Sequence, residues 1–236
     1  MHMIFSGNPG TAKTTVARLF AQIMRDNGLL SRGQLIEVGR GDLIEKYVGW
    51  TAQNVKAKFT AAAGGVLFID EAYSLVDDRD GSYGDEAINT IVQEMENHRE
   101  DVVVIFAGYS NKMKHFLQRN PRLRSRIAFH VPFDDYSTDE LCEIARLMGR
   151  GKGINFDNAA MDKLSVLFQQ AKAQEDFGNG RYVRNVLEQA RMNQASRLME
   201  YDLGTIRDED ISTITAADIE LPMITANMTK QKIGFC

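Results

Sequence analysis

Two short stretches of the chain carry residue types that could handle a polyphosphate. The first is GNPGTAKT, Gly7 to Thr14. It follows the strand-like run Met1 to Ser6 and leads into a stretch with helical spacing, a setting in which backbone N–H groups and a helix N-terminus surround phosphates. The candidate nucleotide-binding set is therefore Asn8, Pro9, Gly10, Thr11, Ala12, Lys13, Thr14 and Thr15. Lys13 would neutralise the β and γ phosphates and Thr14 would offer its hydroxyl to Mg²⁺, while Gly7, Pro9 and Gly10 shape a loop that larger side chains would obstruct. Ala12 departs from the usual pattern, in which glycine stands before the lysine. If that position must take a positive φ, the methyl group costs about 1–2 kcal/mol, whereas a helical φ makes alanine nearly free.

The second stretch is VLFIDEAY, Val66 to Tyr73, an apolar strand that ends in two adjacent carboxylates. Asp70 at the strand tip would hold Mg²⁺ through water, and Glu71 would orient and deprotonate a water for in-line attack on a γ-phosphate. The loop and the acidic pair occur together and in the expected order, so the chemistry they imply is ATP binding and hydrolysis with Mg²⁺.

These groups need a scaffold, and the apolar pattern supplies one. Val16, Leu19, Phe20, Ile23 and Met24 follow helical spacing over Thr14–Asn27, with Gly28 as a stop. The runs Leu35–Val38, Val66–Ile69 and Val102–Ala107 are short and do not alternate, as parallel strands buried on both faces do not. Helical patterns over Thr51–Ala63 and Asp85–Asn97 lie between them, and a fifth strand is expected over Ile127–Val131. After Pro132 no strand-like run follows. Three helical stretches take over, the first opened by a capping box of Ser137 and Glu140 and the third running from about Arg181 to Tyr201. The expected divisions are a nucleotide-binding core over 1–133, a helical lid over 134–220 and a tail over 221–236. Because the first strand begins at once, the core is expected to lack a preceding segment.

Composition narrows the function classes. Of 236 residues 44% are hydrophobic, enough for one large core or two smaller ones. With 28 Lys and Arg against 32 Asp and Glu, the formal charge of −4 gives no global positive field for a nucleic-acid backbone. Two cysteines, Cys142 and Cys236, are too few for a disulfide framework, which fits a reducing cytoplasm. The four histidines are scattered singly and suggest no metal site. No apolar run approaches the roughly 20 residues of a membrane-spanning helix.

The stretches GNPGTAKTTVARL, YVGWTA, GGVLFIDEAYSL, FAGYSNKM, NPRLRSRI and GNGRYVRN, in this order, resemble AAA+ ATPases of the CbxX/CfqX type, the group that includes stage V sporulation protein K and the red-type Rubisco activase. The resemblance covers nearly the whole chain. It implies an α/β core with a five-stranded parallel sheet of order 5-1-4-3-2, a small helical lid, and homo-hexamers with ATP at subunit boundaries. It also implies roles for single residues. Asn111, beside Ser110 just past the fourth strand, matches the polar sensor of the γ-phosphate. In the cluster Arg119, Arg122, Arg124 and Arg126, Arg126 is the choice for the arginine finger, with Arg122 and Arg124 close behind. Arg181 matches the second sensor, with Arg184 as fallback, and Tyr47, Val48 and Gly49 match the loop that lines the pore of protein-threading relatives. The expected function is an ATP-driven ring that remodels an unidentified protein client. A nucleotide-dependent switch or scaffold with slow turnover is the alternative.

Overall fold

A computed structural model describes residues 1–44, 50–76, 83–174, 177–201 and 205–220, which fall into two compact units. One unit comprises Met1–Asp135 together with Gly178–Gly180, and the other Tyr136–Phe177 together with the residues from Arg181 onward. The loop Tyr47–Val48–Gly49 and the tail 221–236 lie outside the described residues.

In the first unit the chain runs through β1 (His2–Gly7), α1 (Lys13–Asp26), β2 (Leu35–Val38), α2 (Arg40–Leu43), α3 (Trp50–Ala62) and β3 (Gly65–Ile69). A 3₁₀ turn over Ala72–Val76 leads to α4 (Tyr83–Asn97), β4 (Val102–Gly108), α5 (Ser110–Arg119), α6 (Pro121–Arg124) and β5 (Phe129–Phe133). The five strands form one sheet in the order β2-β3-β4-β1-β5, with every pair parallel, the order expected from the resemblance.

Side-chain alternation divides the sheet between two cores. Ile4, Leu67, Ile69, Val104 and Phe106 join one cluster with Phe59 of α3, Ile91 and Met95 of α4 and Phe116 of α5. Met3, Phe5, Val66, Phe68, Val103 and Ile105 join the other, with Ala17 and Ala21 of α1. Every residue of β3 and β4 is buried, which is why these runs show no polar alternation.

Two readings of the apolar pattern need correction. On α1 the residues that reach the core are Ala17 and Ala21, with Phe20 and Met24 at the margin, while Val16, Leu19 and Ile23 are exposed. The two alanines leave room for the helix to pack on the sheet, and periodicity weighted by large residues overlooks them. The fifth strand spans Phe129–Phe133 and not Ile127–Val131. Buried Ile127 still belongs to the turn after α6, its N–H donating to the Arg124 carbonyl at 3.4 Å. Pro132 fits inside β5 because that strand is an edge, paired with β1 alone.

The second unit holds α7 (Thr138–Arg150), β6 (Asn155–Phe156), α8 (Asn158–Ala171), the larger part of α9 (Asn179–Met199), α10 (Asp208–Ser212) and β7 (Thr213–Ile214). The capping box at α7 is formed in both directions: Glu140 N–H donates to Ser137 Oγ at 3.2 Å, and Ser137 N–H to Glu140 Oε2 at 2.7 Å. β6 and β7 pair in parallel, a correction to the expectation of helices alone. Two residues are too short a run for periodicity to reveal. Side chains of α9 hold the β7 region down: Gln194 Nε2 donates to the carbonyls of Asp210, Ile211 and Thr213, and Arg197 makes a two-pronged ion pair with the buried Asp218 at 2.7 and 2.9 Å.

One buried titratable group gives the first unit a pH dependence. His2 is 6% exposed in β1, and its Nδ1 accepts the Val104 N–H at 3.1 Å. Burial, aided by nearby positive charge, lowers its pKa from 6.5 to about 4. The folded state binds the proton less readily than the unfolded chain, so this stabilisation is complete above pH 6.5 and is lost as the pH falls from 6.5 towards 4. From pH 6.5 to 5 the His2 contribution should fall by about 2 kcal/mol. Thermal melts of the wild type and His2→Asn across this range check it. The variant should show a flatter slope, and parallel curves would refute the assignment.

Candidate active site

Parallel register sets the position of the site. Ser6 pairs with Gly108 and Ile69 with Phe106, so β1, β3 and β4 end on the same side of the sheet. The loop before Lys13, the acidic pair after Ile69 and the start of α5 therefore emerge at one edge, the end of a parallel sheet where ligands bind in open α/β folds.

The loop is built from backbone and short side chains. Thr11, 3% exposed, closes it by donating from Oγ1 to the Asn8 carbonyl at 2.8 Å. Lys13 curls back, its Nζ donating to the carbonyls of Gly7 at 2.9 Å and Asn8 at 2.7 Å. At Gly7 a Cβ would lie 2.2 Å from the Phe133 carbonyl, so only glycine fits between the loop and β5. Gly10 takes φ +72 and Ala12 φ +64, the left-handed conformations that turn successive N–H groups towards one side. Ala12 thus meets the costlier of the two cases set out from the sequence, about 1–2 kcal/mol. Thr14 is half-buried in the first turn of α1 and Thr15 is exposed.

Asp70 and Glu71 follow β3 directly. The Glu71 N–H donates to Asp70 Oδ1 at 3.0 Å, and Glu71 itself has φ +47, a strained value for a non-glycine residue. Its side chain is exposed, with Tyr73 two residues on. Burial first, then the charge of Glu71, pushes the Tyr73 hydroxyl well above its ordinary pKa, so it stays protonated. The Tyr73 ring lies over Gly108, where a Cβ would come within 2.8 Å of it, and the Lys112 ammonium sits 4.7 Å from its centroid. Sequence reasoning passed over Tyr73 and Lys112. The DEAY string held the former, but nothing in it signals that the ring would reach the end of β4.

The remaining candidates are placed less uniformly. Ser110 and Asn111 are the first two residues of α5, both exposed, at the same strand edge. Arg122 and Arg124 are exposed on and at the end of α6. Arg126 is folded back: one terminal nitrogen donates to the Arg122 carbonyl at 2.9 Å, and Nε lies 3.8 Å from Glu96. Arg181 and Arg184 belong to the second unit, both exposed on α9. Two polar residues that the sequence did not single out, Asp135 and Asn179, hydrogen-bond into the phosphate loop from positions 127 and 170 residues along the chain from their loop partners.

Comparison with known proteins agrees with this geometry. The profile of the ATPase family associated with various cellular activities (AAA) matches residues 3–135, and that of the AAA lid domain matches residues 137–231. Protein CbxX, plasmid, of Cupriavidus necator is 47% identical over 221 residues, covering 93% of this chain and 69% of that protein. Protein CbbX of Cereibacter sphaeroides is 44% identical over 220 residues, 93% of this chain and 71% of that protein. The chloroplastic ribulose bisphosphate carboxylase/oxygenase activase of Cyanidioschyzon merolae is 45% identical over 220 residues, 89% of this chain and 75% of that one. Among solved structures the FIGL-1 AAA domain in complex with ADP superposes with a TM-score of 0.60 at 20% identity, over 92% of this chain and 68% of that one, a likeness of fold. With its five-stranded sheet, phosphate loop and acidic strand tip, the chain belongs to the AAA ATPase family, within the CbxX/CfxQ group, and is a P-loop ATPase.

Proposed function

We propose that this ATPase works as a ring and uses hydrolysis to remodel a protein client. The observation that carries the chemistry is the emergence of the Lys13 loop and the Asp70–Glu71 tip at the same edge of strands joined through β4. Lys13 binds the phosphates. Glu71 orients a water and takes its proton as the water oxygen attacks the γ-phosphorus and the bond to ADP breaks. Thr14 and Asp70 offer a hydroxyl and a carboxylate, the share of hard oxygen donors a protein gives to Mg²⁺ when phosphates and water supply the rest. Mg²⁺ would offset charge on the transferring phosphoryl group. Asn111 senses the γ-phosphate and Arg181 serves as the second sensor. The arginine segment of α6 and the turn after it reaches a neighbouring subunit's nucleotide, with Arg126 first and exposed Arg122 and Arg124 next. Tyr47, Val48 and Gly49 grip the client in the central pore.

The division of labour between loop and strand tip is testable by titrating a fluorescent ATP analogue. Lys13→Ala should abolish binding, whereas Glu71→Gln should bind as the wild type does and lose hydrolysis, because Glu71 acts only in the chemical step. Equal loss of binding in both would sink the assignment. Ring assembly makes a separate expectation. Arg126→Ala should be inactive alone and recover activity when mixed with Glu71→Gln, since an arginine finger is worth about 10³–10⁵ in rate. Rescue seen only with Arg122→Ala or Arg124→Ala would move the finger to that residue, and rescue with none would remove the trans role.

Remodelling is tested through Tyr47. Tyr47→Ala should change basal turnover by less than about threefold while abolishing client-dependent turnover. Ribulose bisphosphate carboxylase/oxygenase is the first client to try, because a relative at 45% identity is named as its activase. A Tyr47→Ala protein that remodels the client normally would remove the pore role. A collapse in melting temperature would instead mark Tyr47 as a core residue, worth about 3–5 kcal/mol.

A further inference from the structure

We propose that Asp135 and Asn179 are positioning residues for the phosphate loop, clamping its outer carbonyls so that its N–H groups face the phosphates. The inference rests on the reading of Gly7–Thr14 as the nucleotide loop. Gly178–Gly180 is a three-residue segment that returns to the first unit after a long excursion of the chain. Asn179 is fully buried there and takes φ +46, a conformation that asparagine tolerates better than most residues.

Its amide nitrogen donates to Asp135 Oδ1 at 2.7 Å and lies 3.4 Å from the Pro9 carbonyl oxygen. The next residue, Gly180, donates its backbone N–H to the Gly10 carbonyl at 3.1 Å. Asp135 in turn accepts from Asn8 Nδ2, 3.0 Å from each carboxylate oxygen. A side chain of the loop and two of its carbonyls are thus tied to groups beyond the loop. An ionised carboxylate suits the centre of such a clamp, since it only accepts and both of its neighbours donate.

The consequence follows from peptide geometry. In a planar trans peptide the C=O and the following N–H point in opposite directions. Holding the Pro9 and Gly10 carbonyls outward therefore turns the N–H groups of Gly10 and Thr11 the other way. A flipped peptide would present a carbonyl oxygen to the anion in place of a donor. Glycine at position 10, with φ +72, makes such a flip sterically accessible, so an external restraint has something to prevent. Gly180 itself leaves little room for change: a Cβ there would sit 3.1 Å from the Gly10 oxygen.

The clamp is tested on the full chain with a fluorescent ATP analogue, ATP turnover and a thermal melt. Asn179→Gly keeps the backbone conformation accessible and removes the amide, and Asp135→Asn keeps the size and removes the charge. Each should raise the Kd for the analogue about tenfold, the scale of one lost hydrogen bond to a charged group, with binding stoichiometry retained. The loss should fall on KM, with kcat changing by less than about twofold, a split that general loosening of the fold would not produce. Wild-type Kd in both variants would overturn the proposal, as would an equal fall in kcat. If neither variant folds, Asn8→Ala decides: a Kd raised about fivefold supports the clamp and an unchanged one refutes it. Lys13→Ala is the control for the underlying reading. If it also binds the analogue normally, the nucleotide assignment falls, whereas loss of binding there with normal Asn179→Gly and Asp135→Asn removes the clamp alone.

Discussion

Everything at the site depends on the parallel pairing of β1, β3 and β4. Parallel strands in one sheet must be joined by crossovers that bring the chain back to the starting edge, so consecutive strands deliver their C-terminal ends to the same side. A basic loop from one crossover and an acidic tip from another then emerge together. The cost of this arrangement is a sheet buried on both faces. It is met by β3 and β4, whose residues are buried throughout, and by helices that carry Phe59, Ile91, Met95 and Phe116 to one face and Ala17 and Ala21 to the other.

Around that edge the polar groups are assembled in pairs of unlike character. Lys13 is bonded to carbonyls of its own loop, and the charge of Glu71, after burial, helps to keep the Tyr73 hydroxyl neutral. Backbone strain gathers at the same place, at Ala12 and Glu71, each with positive φ. Strain at two residues aimed at one reaction is what a scaffold rigid enough to impose unfavourable local conformations allows.

The sheet was legible because its inner strands are uniformly apolar: Val66–Ile69 and Val102–Ala107 are short, unalternating runs between helical patterns, as parallel strands buried on both faces are. The edge was harder. β5 carries exposed residues and a proline, so its signal merged with that of buried Ile127 and displaced the expected strand by two residues. The β6–β7 pair lay below the length at which a period of two can be seen. At the site, Lys13, Asp70 and Glu71 were legible as chemistry attached to strand ends. Asp135 and Asn179 were not, because an acid after a strand and an asparagine between glycines read as ordinary turn residues until folding brings them together. Their partnership spans 44 residues, and no local pattern encodes it.

The return of Gly178–Gly180 to the first unit also bears on how the chain is made. Residues Tyr136–Phe177 are looped out between two stretches of that unit, and closing a loop of this length costs about 3 kcal/mol in chain entropy. A ribosome that has released the chain only as far as Asp135 has exposed all five strands of the large sheet but not the strap that bonds to Asn8's partner and to Pro9 and Gly10. During synthesis the sheet can therefore form well before the bonds from this strap to the phosphate loop, which come with a tripeptide from the far side of the helical excursion.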